Sequence, residues 1–172
     1  MIINIGQDES NNGRKNEIHV AVFSSNPLDI IESDVKLPKR RSHGDIVKSL
    51  GRRKYRFVSV RKEDKIRIPK RQLLGAISAS LLDGEIESPD LQRLQIYIDG
   101  EKFSTERLYA RDMIADVLDI GKSVVSLFCG ARFDQRYPIV NLADRVAHYT
   151  YYGSKRSYSD FVNHRNRKPL II

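Results

Sequence analysis

Near its start the chain reads Gly6-Gln7-Asp8-Glu9-Ser10-Asn11-Asn12-Gly13, between apolar runs at residues 1–5 and 18–23. Two apolar runs around a Gly/Asn turn are typical of a β-hairpin, so we predict an acidic pair, Asp8 and Glu9, at the end of the first strand. Adjacent carboxylates repel each other and have low strand propensity. A divalent cation would offset that repulsion. The simpler alternative is an acidic turn that follows a strand.

The composition is that of a globular protein of one domain. The chain has 172 residues, of which 40% are hydrophobic and 30% charged, and this length can bury a core in a single domain spanning residues 1–172. No apolar stretch approaches the ~20 residues of a membrane span, and the N-terminus lacks the basic segment of a signal peptide. The one cysteine, Cys129, cannot form an internal disulfide. We therefore expect a reducing, cytoplasmic location and no membrane partner.

Positive charge is concentrated between Lys36 and Gln72. This block contains 15 Lys or Arg and 3 Asp or Glu, within a chain of net charge +8. Such density favours a polyanionic partner, because each neutralised phosphate also releases counterions. The alternative is a charged face that only contacts solvent. The residues predicted to contact nucleic acid are Asn12, Arg14, Arg52, Arg53, Lys54, Arg56, Lys70 and Arg71.

The rest of the pattern predicts three strands followed by alternating helices and strands. The third, fourth and fifth strands are predicted at residues 55–60, 94–100 and 123–128, and helices begin at Pro69, Ser104 and Pro138. Residues 25–54 are predicted to be a basic, loop-rich insertion with a short helix at residues 45–50, and residues 153–172 a basic tail. This order predicts an α/β fold with a five-stranded mixed sheet, three antiparallel strands and then two parallel strands, flanked by helices.

Aspartates at the ends of separate elements accompany the acidic pair. If the fourth strand lies beside the first, Asp99 at its end would face Asp8 and Glu9 across one strand spacing, about 4.8 Å. Asp134 and Asp144 lie around the start of the last helix. Each aspartate alone could be a turn or surface residue, but their joint placement indicates a metal site. The four histidines lack the spacing of a metal or nucleophile motif, so we expect them to be structural.

Three segments resemble type 2 ribonucleases H, of the ribonuclease H-like superfamily. Residues 6–13 are similar to their Gly-x-Asp-Glu-Ala-Gly-Arg-Gly opening, and Ile98-Asp99-Gly100 resembles the Asp-Gly that follows their later catalytic strand. Asp134-Gln135-Arg136-Tyr137-Pro138-Ile139-Val140 resembles their Asp-x-x-Tyr-Pro-x-Val segment, whose aspartate is the fourth metal ligand. The element order agrees over most of the chain, so the resemblance implies a ribonuclease H-like fold.

The C-terminal part has a second resemblance. Asn141-Leu142-Ala143-Asp144-Arg145-Val146-Ala147 resembles the Ala-Asp helix of type 1 ribonucleases H. It is also similar to an uncharacterised family of ribonuclease H-like proteins that begin with Asp-Glu-Ser and end with a Leu-Ala-Asp helix. The Gly-Arg-Gly with which type 2 enzymes read a ribose 2′-hydroxyl is here Asn11-Asn12-Gly13. The substrate strand is therefore open, as is the choice between Asp134 and Asp144 as the fourth ligand.

The resemblance implies a two-metal nuclease. Two Mg²⁺ or Mn²⁺ ions about 3.5–4 Å apart would activate a water and stabilise the leaving oxygen. Asp8 would bridge the ions, Asp99 and Glu9 would be further ligands, and Asp134 or Asp144 would complete the site. The implied substrate is RNA in an RNA/DNA hybrid or a related duplex. The alternatives are a DNA or junction nuclease and a non-catalytic nucleic-acid-binding module on the same fold.

Overall fold

The described part of the chain folds into five strands and five α-helices. The structure, a computed structural model, describes residues 1–10, 16–35, 43–86, 89–156 and 166–171. The strands are β1 (Ile2–Ser10), β2 (Asn16–Ser24), β3 (Tyr55–Arg61), β4 (Arg93–Asp99) and β5 (Val125–Gly130). The helices are α1 (His43–Leu50), α2 (Lys62–Arg67), α3 (Lys70–Leu82), α4 (Ser104–Val117) and α5 (Pro138–Arg156). Short 3₁₀ helices lie at Pro27–Ile30, Lys122–Val124 and Phe133–Gln135.

All five strands form one sheet in the order β3-β2-β1-β4-β5. The first three strands pair antiparallel, and β4 and β5 pair parallel to β1 and to each other. The predicted five-stranded mixed sheet is therefore confirmed. Parallel pairing puts the carboxyl ends of β1 and β4 at one edge, where ligands bind in open α/β sheets. The register aligns Gln7 with Ile98, so Asp8 and Asp99 are the next residues along.

Helices cover both faces of the sheet, as the sequence predicted. The β1 side chains alternate, so Ile5 packs into the core beneath α3 and α4, whereas Gly6 lies against α5. On the α5 side, the helix buries an apolar stripe at Ile139, Val140, Ala143, Val146 and Ala147. No helix within the described ranges is long and apolar enough to span a membrane.

Several element boundaries differ from the predicted ones. β1 continues through Ser10, so the acidic pair predicted at the end of the first strand lies within its last three residues. The fifth strand begins at Val125, because the backbone of Lys122–Val124 first makes a 3₁₀ turn. The predicted short helix at residues 45–50 is found as α1. The predicted Asn-Gly turn, residues 36–42 of the basic insertion and residues 157–165 and 172 of the basic tail lie outside the described ranges.

The C-terminal segment, residues 166–171, is held against β3 and α3. The Lys168 backbone N–H donates to the Phe57 carbonyl at 2.8 Å, and the Ile171 N–H donates to Ser80 Oγ at 2.8 Å. The Lys168 ammonium also lies 2.7 Å from a carboxylate oxygen of Glu85. A single parallel bridge between Phe57 and Arg167 extends the sheet beyond β3. The segment thereby covers part of the outer edge of β3.

Candidate metal centre

Four aspartates converge from four different elements at the carboxyl edge of β1 and β4. Asp8 lies on β1 and faces α5, because strand alternation places it on the same side as Gly6. Asp99 ends β4, Asp134 lies in the 3₁₀ helix after β5, and Asp144 lies in the second turn of α5. The convergence follows from parallel pairing of β1, β4 and β5, which carries the ends of all three strands to one edge.

The backbone around Asp134 ties it to its neighbours. The Asp134 N–H points to Asp99 Oδ1 at 3.4 Å, and the Asp134 carbonyl accepts from the Asn141 side-chain amide at 2.9 Å. Asn141 is itself buried at the start of α5. The 3₁₀ helix is therefore fixed to both β4 and α5, and its aspartate is held at the edge of the sheet.

Asp8 is the most perturbed of these carboxyl groups. Burial, followed by the nearby charge of Asp144, raises the pKa of Asp8 from 3.8 to about 9. Asp99 and Asp134 raise it further, whereas the Glu9 N–H, which donates to Asp8 Oδ1 at 2.6 Å, acts in the opposite direction. All three other aspartates thus act on Asp8 through space, which places the four carboxylates in one electrostatic cluster.

Asp134 and Asp144 are perturbed in the same direction. Burial, and then the charges of Asp99 and Asp144, raise the pKa of Asp134 above its ordinary value. Burial also raises the pKa of Asp144, although Arg145 and His148 oppose the shift. Within the described part of the chain, the cluster has one ion pair, from Arg145 Nε to Asp144 Oδ2 at 3.9 Å. The protein thus provides little positive charge of its own to balance four close carboxylates.

This arrangement fits a divalent cation. Hard ions such as Mg²⁺ and Mn²⁺ prefer carboxylate oxygens, and a bound cation would convert the mutual repulsion at Asp8 into attraction. The residues that could hold it are Asp8, Asp99, Asp134 and Asp144. The structure brings both aspartates proposed as the fourth ligand into the same cluster.

Glu9 has different neighbours from Asp8. It follows Asp8 in the strand, so its side chain points to the α3 side of the sheet. There Glu9 Oε2 lies 3.4 Å from His19 Nδ1, and His19 Nε2 lies 3.2 Å from Glu17 Oε2. Glu17 is buried and forms a second ion pair, with Lys65. The four aspartates and Glu9 are thus on opposite faces of β1, and the role of Glu9 as a metal ligand stays a prediction.

A histidine and the two glutamates on either side of it form a second group of potential metal ligands. Ligand atoms of Glu9, Glu17 and His19 all lie within 4.8 Å of one another. Nitrogen and carboxylate ligands could hold a transition metal. However, the Lys65 ammonium already provides a positive charge to Glu17. His19 therefore connects Glu9 to the buried ion pair of Glu17 and Lys65. The sequence predicted a structural role for this histidine.

The predicted nucleic-acid contacts fall into two groups. Arg53 makes two bonds to Asp29, at 2.7 and 2.9 Å, and Arg56 lies 2.7 Å from Glu85. These two guanidinium groups are thus held by carboxylates of the protein. The remaining described members are exposed, namely Arg52, Lys54, Lys70 and Arg71. Asn12 and Arg14 lie outside the described residues.

A cavity of about 300 Å³ lies on the α3 side of the sheet, and Asp8 and Asp99 contribute to its lining. Its lining includes Gln7 of β1, Lys70 of α3 and Lys102, which precedes α4. Sequence reasoning did not single out Gln7 or Lys102. The alternation of β1 places Gln7 on that face, but only the folded structure brings Lys70 at the start of α3 and Lys102 before α4 together around it.

Comparisons with known proteins show structural but not sequence relatives. No protein-family model and no curated protein sequence matches the chain. An RNase HII from Archaeoglobus fulgidus, solved in complex with PCNA, is similar with a TM-score of 0.58 at 14% identity, over 94% of this chain and 79% of that one. A mutant of Bst RNase HIII has a TM-score of 0.56 at 17% identity, over 91% of this chain and 54% of that one, about half its length. The chain therefore has a ribonuclease H-like fold.

Proposed function

We propose that this chain is a metal-dependent nuclease that hydrolyses phosphodiester bonds of nucleic acid, with RNA in an RNA/DNA hybrid or a related duplex as the substrate. The observation that carries the proposal is the cluster of Asp8, Asp99, Asp134 and Asp144, in which burial and like charges raise the pKa of Asp8 to about 9. Such strongly perturbed carboxyl groups in a cleft are typical of functional sites. The similarity of the fold to RNase HII and RNase HIII supports this proposal.

Each part of the site has a defined role in this proposal. Divalent cations held by the four aspartates would activate a water and stabilise the charge that develops on the phosphate. Asp8 is the central ligand, because it is acted on by all three other carboxylates. Exposed basic residues at Arg52, Lys54, Lys70 and Arg71 bind the phosphate backbone and carry no sequence information.

The first experiment is a cleavage panel. Purified protein is incubated with an RNA/DNA hybrid, duplex RNA, single strands and branched DNA, each with Mg²⁺ and with Mn²⁺. Asp8→Asn removes the central carboxylate and should abolish cleavage of every substrate. Equal cleavage by the wild-type protein and Asp8→Asn would contradict the proposal.

Calorimetric titration with Mn²⁺ tests the site independently of turnover. We expect the wild-type protein to bind Mn²⁺ and Asp8→Asn to lose most of this affinity. An absence of Mn²⁺ binding together with tight duplex binding would instead support a non-catalytic nucleic-acid-binding module.

A further inference from the structure

The cavity beside the metal centre has the size and lining of a small-ligand site. Its volume of about 300 Å³ is at the lower end of the ~300–1,000 Å³ range of small-molecule pockets. One wall is apolar and is formed by α3 with Leu73, Leu74 and Ile77. The opposite wall is the end of β1 and β4, where Asp8 and Asp99 also reach the cavity. A ligand bound here would therefore lie next to Asp8 and Asp99, two of the four aspartates.

A buried amide provides a polar group on the inner wall. Gln7 is only 4% exposed, and its Oε1 accepts a hydrogen bond from Ser78 Oγ at 2.9 Å. Its Nε2 is also buried, and among the described residues it has no hydrogen-bond partner. A buried donor without an acceptor destabilises the folded state by roughly 1–3 kcal/mol. The atom is enclosed in this conformation, and a turn of the Gln7 amide towards the cavity would let a ligand with acceptor atoms at its edge recover that loss.

The charges at the cavity leave two ammonium groups available. Glu17 is paired with Lys65, and the His19 ring lies between Glu9 and Glu17. The Glu106 carboxylate accepts from the Phe103 N–H at 2.9 Å. By contrast, Lys70 and Lys102 line the cavity without a carboxylate partner in the described part of the chain. Among the described residues, Asp8 and Asp99 of the same lining have no paired cation, so these two ammonium groups, and not the cavity as a whole, favour an anionic part of the ligand, such as a phosphate.

We propose that this cavity accommodates one unpaired nucleotide of the substrate, beside the phosphodiester bond that is cleaved. The base lies against the apolar wall of α3 with its polar edge towards Gln7, and its phosphate lies between Lys70 and Lys102. An apolar surface, a polar edge and two cations match the three parts of a nucleotide. This inference rests on the proposed function, and it adds a requirement: the preferred substrate has an unpaired nucleotide, at an end, a flap, a bulge or in a single strand. A base within a continuous duplex would first have to leave the stack, which costs a few kcal/mol.

Binding of mononucleotides in EDTA tests the cavity without metal or cleavage. The probes are AMP and CMP, with inorganic phosphate and adenosine as partial ligands, and binding is followed by calorimetry and by backbone amide chemical shifts. We expect both nucleotides to bind more tightly than either partial ligand and to shift amides of β1 and of α3. Phosphate that binds as tightly as AMP, or shifts confined to other elements, would overturn the proposal.

Variants of the cavity have a matched control. Lys70→Ala and Lys102→Ala should each weaken AMP binding roughly tenfold, as expected for the loss of a charged hydrogen bond. Lys62→Ala removes the same charge from an exposed position that does not line the cavity and should leave the affinity unchanged. Leu74→Trp fills the cavity and should abolish AMP binding, with circular dichroism to verify its fold. Equal affinity in all of these variants would place the nucleotide elsewhere.

The cleavage panel separates failure of this inference from failure of the proposed function. Leu74→Trp should slow cleavage of substrates with an unpaired nucleotide at least tenfold. It should affect a continuous duplex much less. If cleavage depends on Asp8 but is unaltered by Leu74→Trp, the nucleotide site in the cavity is rejected and the proposed nuclease activity is retained. If the protein cleaves no substrate but binds nucleotides in a way that depends on Lys70 and Lys102, the proposed nuclease activity is rejected and the nucleotide site is retained.

Discussion

Gly6 lies directly against the carbonyl oxygen of Ile139, so that the first turn of α5 packs on the backbone of β1. A Cβ atom built on Gly6 would be 2.4 Å from that oxygen and 2.8 Å from the Val140 nitrogen. Gly6 is two residues before Asp8, and Ile139 is five residues before Asp144. The close contact between these two backbones is therefore what brings the two aspartates together.

Gly6→Ala should both destabilise the protein and disrupt the proposed metal site. The contacted atoms are helix backbone, so α5 must move away to admit a methyl group, and overpacking of this kind costs about 1–3 kcal/mol or more. We expect a lower denaturation midpoint and weaker Mn²⁺ binding by the remaining folded protein. Gly121→Ala is the control, because its nearest neighbour would be 3.7 Å away and its φ of −63° suits alanine. Similar stability of the two variants would show that α5 does not depend on the Gly6 contact.

The sequence predicts the order of strands and helices along the chain, because turn residues and helical periodicity are local signals, and it places Asp8 and Asp99 at the ends of the first and fourth strands. It does not predict the partners of Arg53 and Arg56. Those arginines belong to a basic block, but the acids that hold them come from distant parts of the chain, Asp29 being 24 residues before Arg53. The placement of Glu9 follows from strand alternation once β1 is known to extend through Ser10. The sequence predicts both acids in one metal site, although neighbouring residues of a strand point to opposite faces of the sheet.

Basic residues within one short segment should therefore respond differently to substitution. Arg52→Ala and Lys54→Ala remove exposed charges, so each should weaken duplex binding with almost no change in stability. Arg53→Ala leaves the buried Asp29 without its cation and should lower the free energy of unfolding by roughly 2–3 kcal/mol. Filter binding at several salt concentrations and urea denaturation measure the two effects. A stable Arg53→Ala variant with weak duplex binding would show that Arg53 contacts nucleic acid.

The Asp29 ion pair should also contribute to acid sensitivity. Burial alone would raise the pKa of Asp29, but hydrogen bonds from Arg53 and Ser24 outweigh it and hold the pKa below its ordinary 3.8. The unfolded chain then binds a proton before the folded one, so the stabilisation is complete above pH 3.8 and is lost as the pH falls below it. Asp29→Asn should be less stable than the wild-type protein at neutral pH, and the difference should shrink below pH 3.8. A constant difference across this acid range would contradict the assignment.

The metal-free protein should be stabilised by Asp8→Asn. The pKa of Asp8 is raised from 3.8 to about 9, so between these values the folded state holds more protons than the unfolded state and stability falls as pH rises. Asparagine cannot ionise, and we expect it to raise the free energy of unfolding in EDTA by roughly 1 kcal/mol or more at neutral pH. Mn²⁺ should then stabilise the wild-type protein and not the variant.

Asp116→Asn is the matched control for that measurement. Asp116 is an exposed residue of α4 on the opposite side of the sheet from α5, and its substitution should leave both stability and the response to Mn²⁺ unchanged. A less stable Asp8→Asn variant in EDTA would mean that the carboxylate is compensated within the protein and that the cluster does not need a cation.

Asp144 should matter more than Asp134 for metal binding. Among the neighbouring aspartates, Asp144 raises the pKa of Asp8 the most, ahead of Asp99 and Asp134. Asp144 is therefore the acid most strongly coupled to Asp8. Asp134 is fixed through its backbone, whose N–H points to Asp99 and whose carbonyl accepts from Asn141, and these bonds survive loss of its charge. We therefore expect Asp144→Asn to weaken Mn²⁺ binding roughly 100-fold and Asp134→Asn roughly tenfold. Calorimetric titration of both variants measures this difference, and a larger loss for Asp134→Asn would assign the fourth ligand to the 3₁₀ helix after β5.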